Sequence, residues 1–222
     1  MDLTYGAEYD VFREEVKAFI REHKHRQPQP GDGFRSQALK DWQSALIEHG
    51  YHSRTVPRDY GGYGAEPDII KSRIISEEFA AERVHRGFNG QGVTMLTPVL
   101  LEMGTEEQKQ TFVAPTIKAD IIWCQGYSEP GAGSDLASLT TKAELDGEEW
   151  VINGQKIWTS TAHHADWMFC LVRTTTSDNR QDGISFLLID MKTPGITVRP
   201  IITIDGGHEV NEVFLEDVRV PA

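Results

Sequence analysis

The spacing of apolar residues changes once in this chain of 222 residues, near Ile121, and that change limits the folds open to it. Upstream, apolar side chains recur every three to four positions, as in Phe12, Val16, Phe19 and Ile20, and again in Leu39, Trp42, Leu46 and Ile47. Such spacing gives a helix one buried stripe. The second stripe runs out at Gly50, a residue suited to the position just past a helix end. Pro67 is expected to open a third helix with the apolar residues Ile70, Ile74, Ile75, Phe79 and Val84. A fourth helix is expected to carry Met95, Leu96, Val99, Leu100 and Met103 and to end at Gly104. Thr105-Glu-Glu-Gln108 then has the form of a capping box, in which a Thr hydroxyl and a Gln amide each satisfy an orphan backbone N–H.

Downstream the period becomes two. Asp146-Gly147 and Asn153-Gly154 are hairpin turn signals flanked by alternating residues. They predict a meander of strands over 139–145, 148–152 and 155–160, with further strands over 166–173, 184–190, 196–200 and 213–220. The expected class is α+β: an all-α domain over residues 1–120, then an antiparallel β-barrel domain over 121–222.

Composition removes several functions. A net charge of −12 with no basic run argues against a nucleic-acid partner. The acidic start Met1–Glu8 lacks the apolar core of a signal peptide, and no apolar run is long enough for a membrane span, so a cytoplasmic protein without membrane insertion is expected. Cys124 and Cys170 have no metal-like spacing and read as buried thiols. His163-His164 is the one pair that invites a metal. Read as strand neighbours, the two point to opposite faces, and no ligand lies at suitable spacing, so no metal is expected.

The densest chemical signal is Gly126-Tyr-Ser-Glu-Pro-Gly-Ala-Gly-Ser-Asp135. Gly131 and Gly133 let the backbone approach a ligand, and their N–H groups with the Ser134 hydroxyl suit a pyrophosphate. The Rossmann fingerprint is not met, because Leu136 stands where its third glycine belongs. A Gly-rich turn alone is ordinary. Trp158-Thr159-Ser160 adds to it: with Asn153-Gly154 as the turn, Trp158 and Ser160 share one sheet face about 7 Å apart, while Ile157 and Thr159 take the other. A flat ring beside a hydroxyl suits a flavin. Glu129 is the loop's carboxylate and is expected to accept backbone hydrogen bonds rather than act as a base. No Gly-x-Ser-x-Gly elbow supports a hydrolase.

These segments, with Pro57-Arg-Asp-Tyr-Gly-Gly62 and Gly104-Thr-Glu-Glu-Gln-Lys109, resemble the acyl-CoA dehydrogenase family over the whole chain. The resemblance implies FAD as cofactor, with Gln125, Tyr127, Ser128, Gly131, Gly133, Ser134, Trp158, Thr159 and Ser160 at the flavin and Ser134 also near the acyl-CoA. Among these, Ser128 corresponds to the contact at the ring's pyrimidine edge, Trp158 to the aromatic packed on the ring and Ser160 to the donor to N5. The implied reaction is α,β-desaturation of an acyl-CoA thioester, as in fatty acid or lipid catabolism by β-oxidation, with electrons passing to an electron-transferring flavoprotein. The family's catalytic Glu lies in a C-terminal helical domain. This sequence stops at Val218-Arg-Val-Pro-Ala222, about where the middle domain closes, so no residue here is assigned as the base. A homotetramer or dimer formed through that further domain is the implied assembly. Two other readings stay open: a non-catalytic partner subunit of a heteromeric dehydrogenase, and a flavin oxidase or monooxygenase on the same fold. Tyr127 stands where the family more often has an aliphatic residue.

Overall fold

The computed structural model describes residues 5–176 and 178–222. The first four residues of the acidic N-terminal stretch lie outside it. No helix among the described residues is long and apolar enough to cross a membrane. The chain divides into two units: one runs to Asn89 and from Val93 to Asp120, the other comprises Gly90–Gly92 and Ile121–Ala222.

In the helical unit, α1 (Ala7–His23), α2 (Gln37–Glu48) and α3 (Ile69–Ala81) bury the stripes that periodicity marks, around Phe19, Trp42, Ile74 and Phe79. Burying each of these large side chains contributes roughly 1.5–3 kcal/mol. Buried Trp42 and Gln43 have their polar atoms paired. Trp42 Nε1 donates to His85 O (2.7 Å), and the fully buried Gln43 accepts from Phe88 N (2.8 Å) and donates to Ile117 O (2.7 Å). Gly87, with φ +79°, has room for no side chain there, since a Cβ would lie 2.4 Å from Gln43 Oε1.

Two helix boundaries differ from the sequence reading. Pro67 does not open α3; Asp68 is its N-cap, accepting from Lys71 N at 2.9 Å. A side-chain oxygen satisfies an orphan donor there, which proline cannot do. The fourth helix is interrupted, with a π-turn over Gly92–Leu96 before α4 (Thr97–Met103). Leu96 and Leu100, four apart, are buried, whereas Met95, Val99 and Met103 lie on a neighbouring exposed face. α5 (Glu106–Ile117) begins at Thr105 with both capping-box bonds formed (2.9 and 3.2 Å).

The second unit is one curled sheet of seven strands: β1 (Trp123–Gly126), β2 (Lys142–Asp146), β3 (Glu149–Ser160), β4 (Trp167–Arg173), β5 (Ile184–Asp190), β6 (Ile196–Ile201) and β7 (Val210–Pro221). They enclose a single apolar core that includes Cys124, Ile152, Cys170, Val213 and Val218. The expectation of a purely antiparallel barrel is corrected here. β1 runs parallel to β4, with Trp123 opposite Trp167 and Gly126 opposite Cys170, and β2 meets β4 in parallel at Lys142 and Arg173. The chain between β1 and β4 contains two other strands, long enough for the crossover that parallel neighbours need.

The second hairpin is also corrected. Asp146-Gly147 makes the β2–β3 turn, with Gly147 at φ +67°, but Asn153-Gly154 makes no turn. β3 continues through it as a single strand paired with β7 over nearly its whole length. Two bulges interrupt that pairing. At Ile152/Gly154 the extra residue is on β7, where Asp217 takes φ +50°. Asn153 binds that bulge, its Oδ1 accepting from Asp217 N (2.9 Å), and a Cβ on Gly154 would lie 2.7 Å from Thr141 Cα. The Asn-Gly pair thus serves a bulge and a close strand approach instead of a reversal. The second bulge puts the extra residue on β3, between Lys156 and Thr159.

Candidate functional site

Residues 127–135 leave β1 and return against β3. The loop closes on itself first: Glu129 N donates to Ala132 O (2.8 Å) and Ala132 N to Glu129 O (3.1 Å), so Pro130 and Gly131 form the tip of a tight turn. β3 holds the loop through Ile157 N, which donates to Ser128 O at 2.9 Å. Ser138 Oγ and the Arg173 guanidinium bind loop carbonyls on the other side, at Asp135 O (2.7 Å) and Ala137 O (2.7 Å).

Glu129 and Lys156 form the anchor beneath the loop. Their side chains are 4% and 0% exposed, with Lys156 Nζ 2.8 Å from Glu129 Oε1 and 3.2 Å from Tyr127 O. The carboxylate also accepts from Thr140 N (2.7 Å), Thr140 Oγ1 (2.8 Å) and Thr141 N (2.9 Å). Burial by itself pushes the Glu129 pKa up. The Lys156 ammonium and the donors of Thr140 and Thr141 outweigh it and bring the pKa from 4.5 down to about 2. Glu129 is therefore a structural anion, as its place in the loop suggested. Lys156 is the residue that sequence reasoning missed. Alternation from the buried Ile152 through Gly154 keeps it on the inward face, and the bulge that follows it separates it from Trp158, which simple alternation puts on the same face.

That bulge also reshapes the expected aromatic face. Inward positions on this part of β3 are Lys156 and Thr159, three residues apart, with Ile157 and Trp158 both between them. Trp158 takes φ +59°, which a bulky L-residue rarely adopts, and the residue is 59% exposed. It is not a core residue. Ser160 is half-buried, and Trp158 precedes it through a bulge and not in an unbroken two-residue period. Ile157 and Thr159 do not pair as expected: Ile157 is half-buried, whereas Thr159 is fully buried, its hydroxyl without a partner among the described residues.

The loop's outer surface is open. Gly133 and Ser134 are exposed, and no atom lies within 4 Å of where a Cβ on Gly131 or Gly133 would be. Neither glycine has the positive φ that would require it. The N–H groups of Gly133, Ser134 and Asp135 donate to no backbone carbonyl, and the Ser128, Ser134 and Ser160 hydroxyls form no hydrogen bond among the described residues. These are unpaired donors on a loop that is held to the strand carrying the exposed indole, and backbone donors of this kind can bind an anionic group. Gly126 differs, since a Cβ there would lie 2.5 Å from Met168 Sδ. Gln125 follows Cys124 on β1, and the Tyr127 ring meets Phe169 edge-on at 5.8 Å. Cys124 and Cys170 are free and buried, and burial pushes Cys170 up to about 11.

His163 and His164 are not strand neighbours, as the sequence reading had them. They lie in a 3-10 turn, Ala162–His164, with ring centroids 4.0 Å apart. His163 stacks on His208 at 4.0 Å, a contact made by loop closure that no sequence spacing announces. No group of three or more His, Cys, Asp or Glu among the described residues is placed to hold a metal ion.

Comparison with known proteins follows the same division. The family model for the acyl-CoA dehydrogenase N-terminal domain matches residues 6–120, and that for the middle domain matches residues 124–218. Acyl-CoA dehydrogenase IpdE1 of Mycobacterium tuberculosis is 42% identical over 195 residues, 86% of this chain and 50% of that protein. The human mitochondrial short-chain specific acyl-CoA dehydrogenase is 35% identical, over 75% of this chain and 40% of its own length. Among solved structures, the steroid ACAD Tcur3481-Tcur3483 superposes with a TM-score of 0.76 at 32% identity, over 100% of this chain and 57% of that one. The ChsE4-ChsE5 complex from Mycobacterium tuberculosis gives 0.76 at 29% identity, over 100% and 56%. The chain spans about half the length of the first relatives it matches.

Proposed function

This chain belongs to the acyl-CoA dehydrogenase family, and on that premise we propose that its β unit binds FAD for the α,β-desaturation of an acyl-CoA thioester. The observation that carries this reading is the open glycine loop with its unpaired donors beside the exposed, left-handed Trp158. Gly131 and Gly133 admit the pyrophosphate to the backbone, and the N–H groups of Gly133 and Ser134 with the Ser134 hydroxyl bind it. Trp158 packs on the ring, Ser128 and Ser160 donate to its polar edge, and Gln125 and Tyr127 complete the wall around it, while the Thr159 side chain, expected there, takes no part because it is buried on the opposite side of β3. Ser134 also faces the acyl-CoA. Bound there, the flavin supplies the acceptor for the hydride leaving the β-carbon. The residues named hold and orient it; none of them is the base that takes the α-proton. An electron-transferring flavoprotein would be the acceptor of the flavin's electrons. The domain division proposed is 1–120 and 121–222.

A second reading draws on Tcur3481-Tcur3483 and ChsE4-ChsE5, two relatives that are assemblies of two different proteins, the first of them named for steroids. By that likeness, this chain's protein works beside a second chain of the same family on a bulky ring-bearing thioester. Titration with FAD, followed by quenching of flavin fluorescence, tests the site, with Trp158→Ala as the control; unchanged affinity in that variant refutes the assignment. Turnover of straight-chain and ring-bearing CoA thioesters with an artificial electron acceptor, with and without a candidate partner, sorts the substrate and assembly. Peroxide release during turnover would assign an oxidase instead.

A further inference from the structure

Resting on the flavin reading above, we infer that Asn211 is a positioning residue: its side-chain amide holds the Thr159 carbonyl and so sets the aim of Trp158 and Ser160. Trp158 is in a backbone conformation that L-residues avoid, and such a conformation persists only when its surroundings enforce it. One end of the bulge is fixed by Lys156, whose ammonium binds Tyr127 O and Glu129. The other end is Thr159, whose carbonyl belongs to the peptide joining it to Ser160.

Asn211 lies directly across from Thr159 on β7, is fully buried, and donates from Nδ2 to Thr159 O at 3.0 Å. Its amide cannot turn over freely. Oδ1 accepts from His208 Nε2 at 2.8 Å, and Nδ2 also lies 3.0 Å from His163 Nδ1. A flipped amide would set Oδ1 against the Thr159 carbonyl, acceptor against acceptor, and would require both histidines to change tautomer. The network assigns the tautomers, with His163 accepting at Nδ1 and His208 donating from Nε2. Burial, and then His164 and His208, push His163 below its ordinary pKa, which favours that neutral form. The His163–His208 stack locks the two rings that lock the amide. Two stretches remote in sequence (residues 208–211, and the 162–164 turn that follows β3) thus converge on one carbonyl between the two residues proposed to face the flavin. Asn211 itself is buried behind them.

Hydrogen exchange on flavin-free protein tests this together with FAD titration. In Asn211→Ala, exchange over residues 156–161 should accelerate at least tenfold while residues 142–146 and 168–173 are unchanged, and the FAD dissociation constant should rise at least tenfold. A folded variant with wild-type exchange over 156–161 and wild-type FAD affinity overturns the inference. So does acceleration spread evenly over the sheet, which marks a merely structural role. If Asn211→Ala does not fold, the His163→Ala/His208→Ala variant frees the amide without emptying the interior. The same local acceleration and at least a threefold weaker FAD affinity are then expected, and no change in either overturns the inference. If the wild-type protein binds no FAD, the flavin reading fails, and exchange over 156–161 alone decides the role of Asn211.

Discussion

Replacing Lys156 by Met isolates the buried ion pair beneath the loop. The substitution keeps the side chain's length and apolar stem while leaving Glu129 charged in an enclosed site. Removing one partner of a buried pair costs about 3–5 kcal/mol. A drop in the Glu129 pKa from 4.5 to about 2, at 1.36 kcal/mol per unit, gives about 3 kcal/mol in favour of the anion, net of the burial that opposes it. Three of its bonds, from Thr140 and Thr141, survive the substitution, so the lower end applies and about 3 kcal/mol is expected. For a unit of this size that lowers Tm by roughly 12–24 °C. Urea denaturation followed by tryptophan emission measures it directly, because Trp123, Trp150, Trp158 and Trp167 lie in the β unit and only Trp42 in the helical one.

The sign with pH is fixed. In the wild type Glu129 has a depressed pKa, so its contribution is fully present above pH 4.5 and is lost as pH falls toward about 2. Without the ammonium the Glu129 pKa rises, so the stability gap between Lys156→Met and wild type narrows on acidification. Adding Glu129→Gln to Lys156→Met removes the stranded charge and should recover more than 1 kcal/mol. A loss under 1 kcal/mol in Lys156→Met, or strictly additive costs in the double variant, would refute the reasoning.

Gly131→Ala and Gly133→Ala should leave stability within about 0.5 kcal/mol but weaken FAD binding at least tenfold by calorimetric titration, since only a ligand approaches those positions. Gly62→Ala, whose Cβ would lie 2.1 Å from Val56 O, should instead lower Tm sharply. Trp158→Gly should stabilise the flavin-free protein by up to about 1 kcal/mol by relieving its positive φ, while its FAD affinity falls; a loss of stability measured in urea would count against strain at this residue. Thr105→Ala should cost about 1 kcal/mol in thermal denaturation, because it removes the oxygen that accepts from Gln108 N.

The α+β class, the helices through Phe19, Trp42 and Phe79, the cap at Thr105 and the Asp146-Gly147 turn were all legible in sequence. Each depends on contacts within a few residues, where helix and strand periods and turn chemistry act directly. Parallel pairing of β1 with β4 was not legible, because it joins segments more than 40 residues apart. Nor were the bulges, and they matter most. One extra residue in β3 breaks the alternation just after Lys156, so Lys156 stays inward on Glu129 while Thr159 turns inward and Trp158 is left exposed in a left-handed conformation. The glycine loop and the Trp-Thr-Ser segment could be named from sequence alone. What joins them, through Lys156 on one side of the bulge and Asn211 on the other, was decided by tertiary pairing, since a strand's register is settled by its neighbours and not by its own residues.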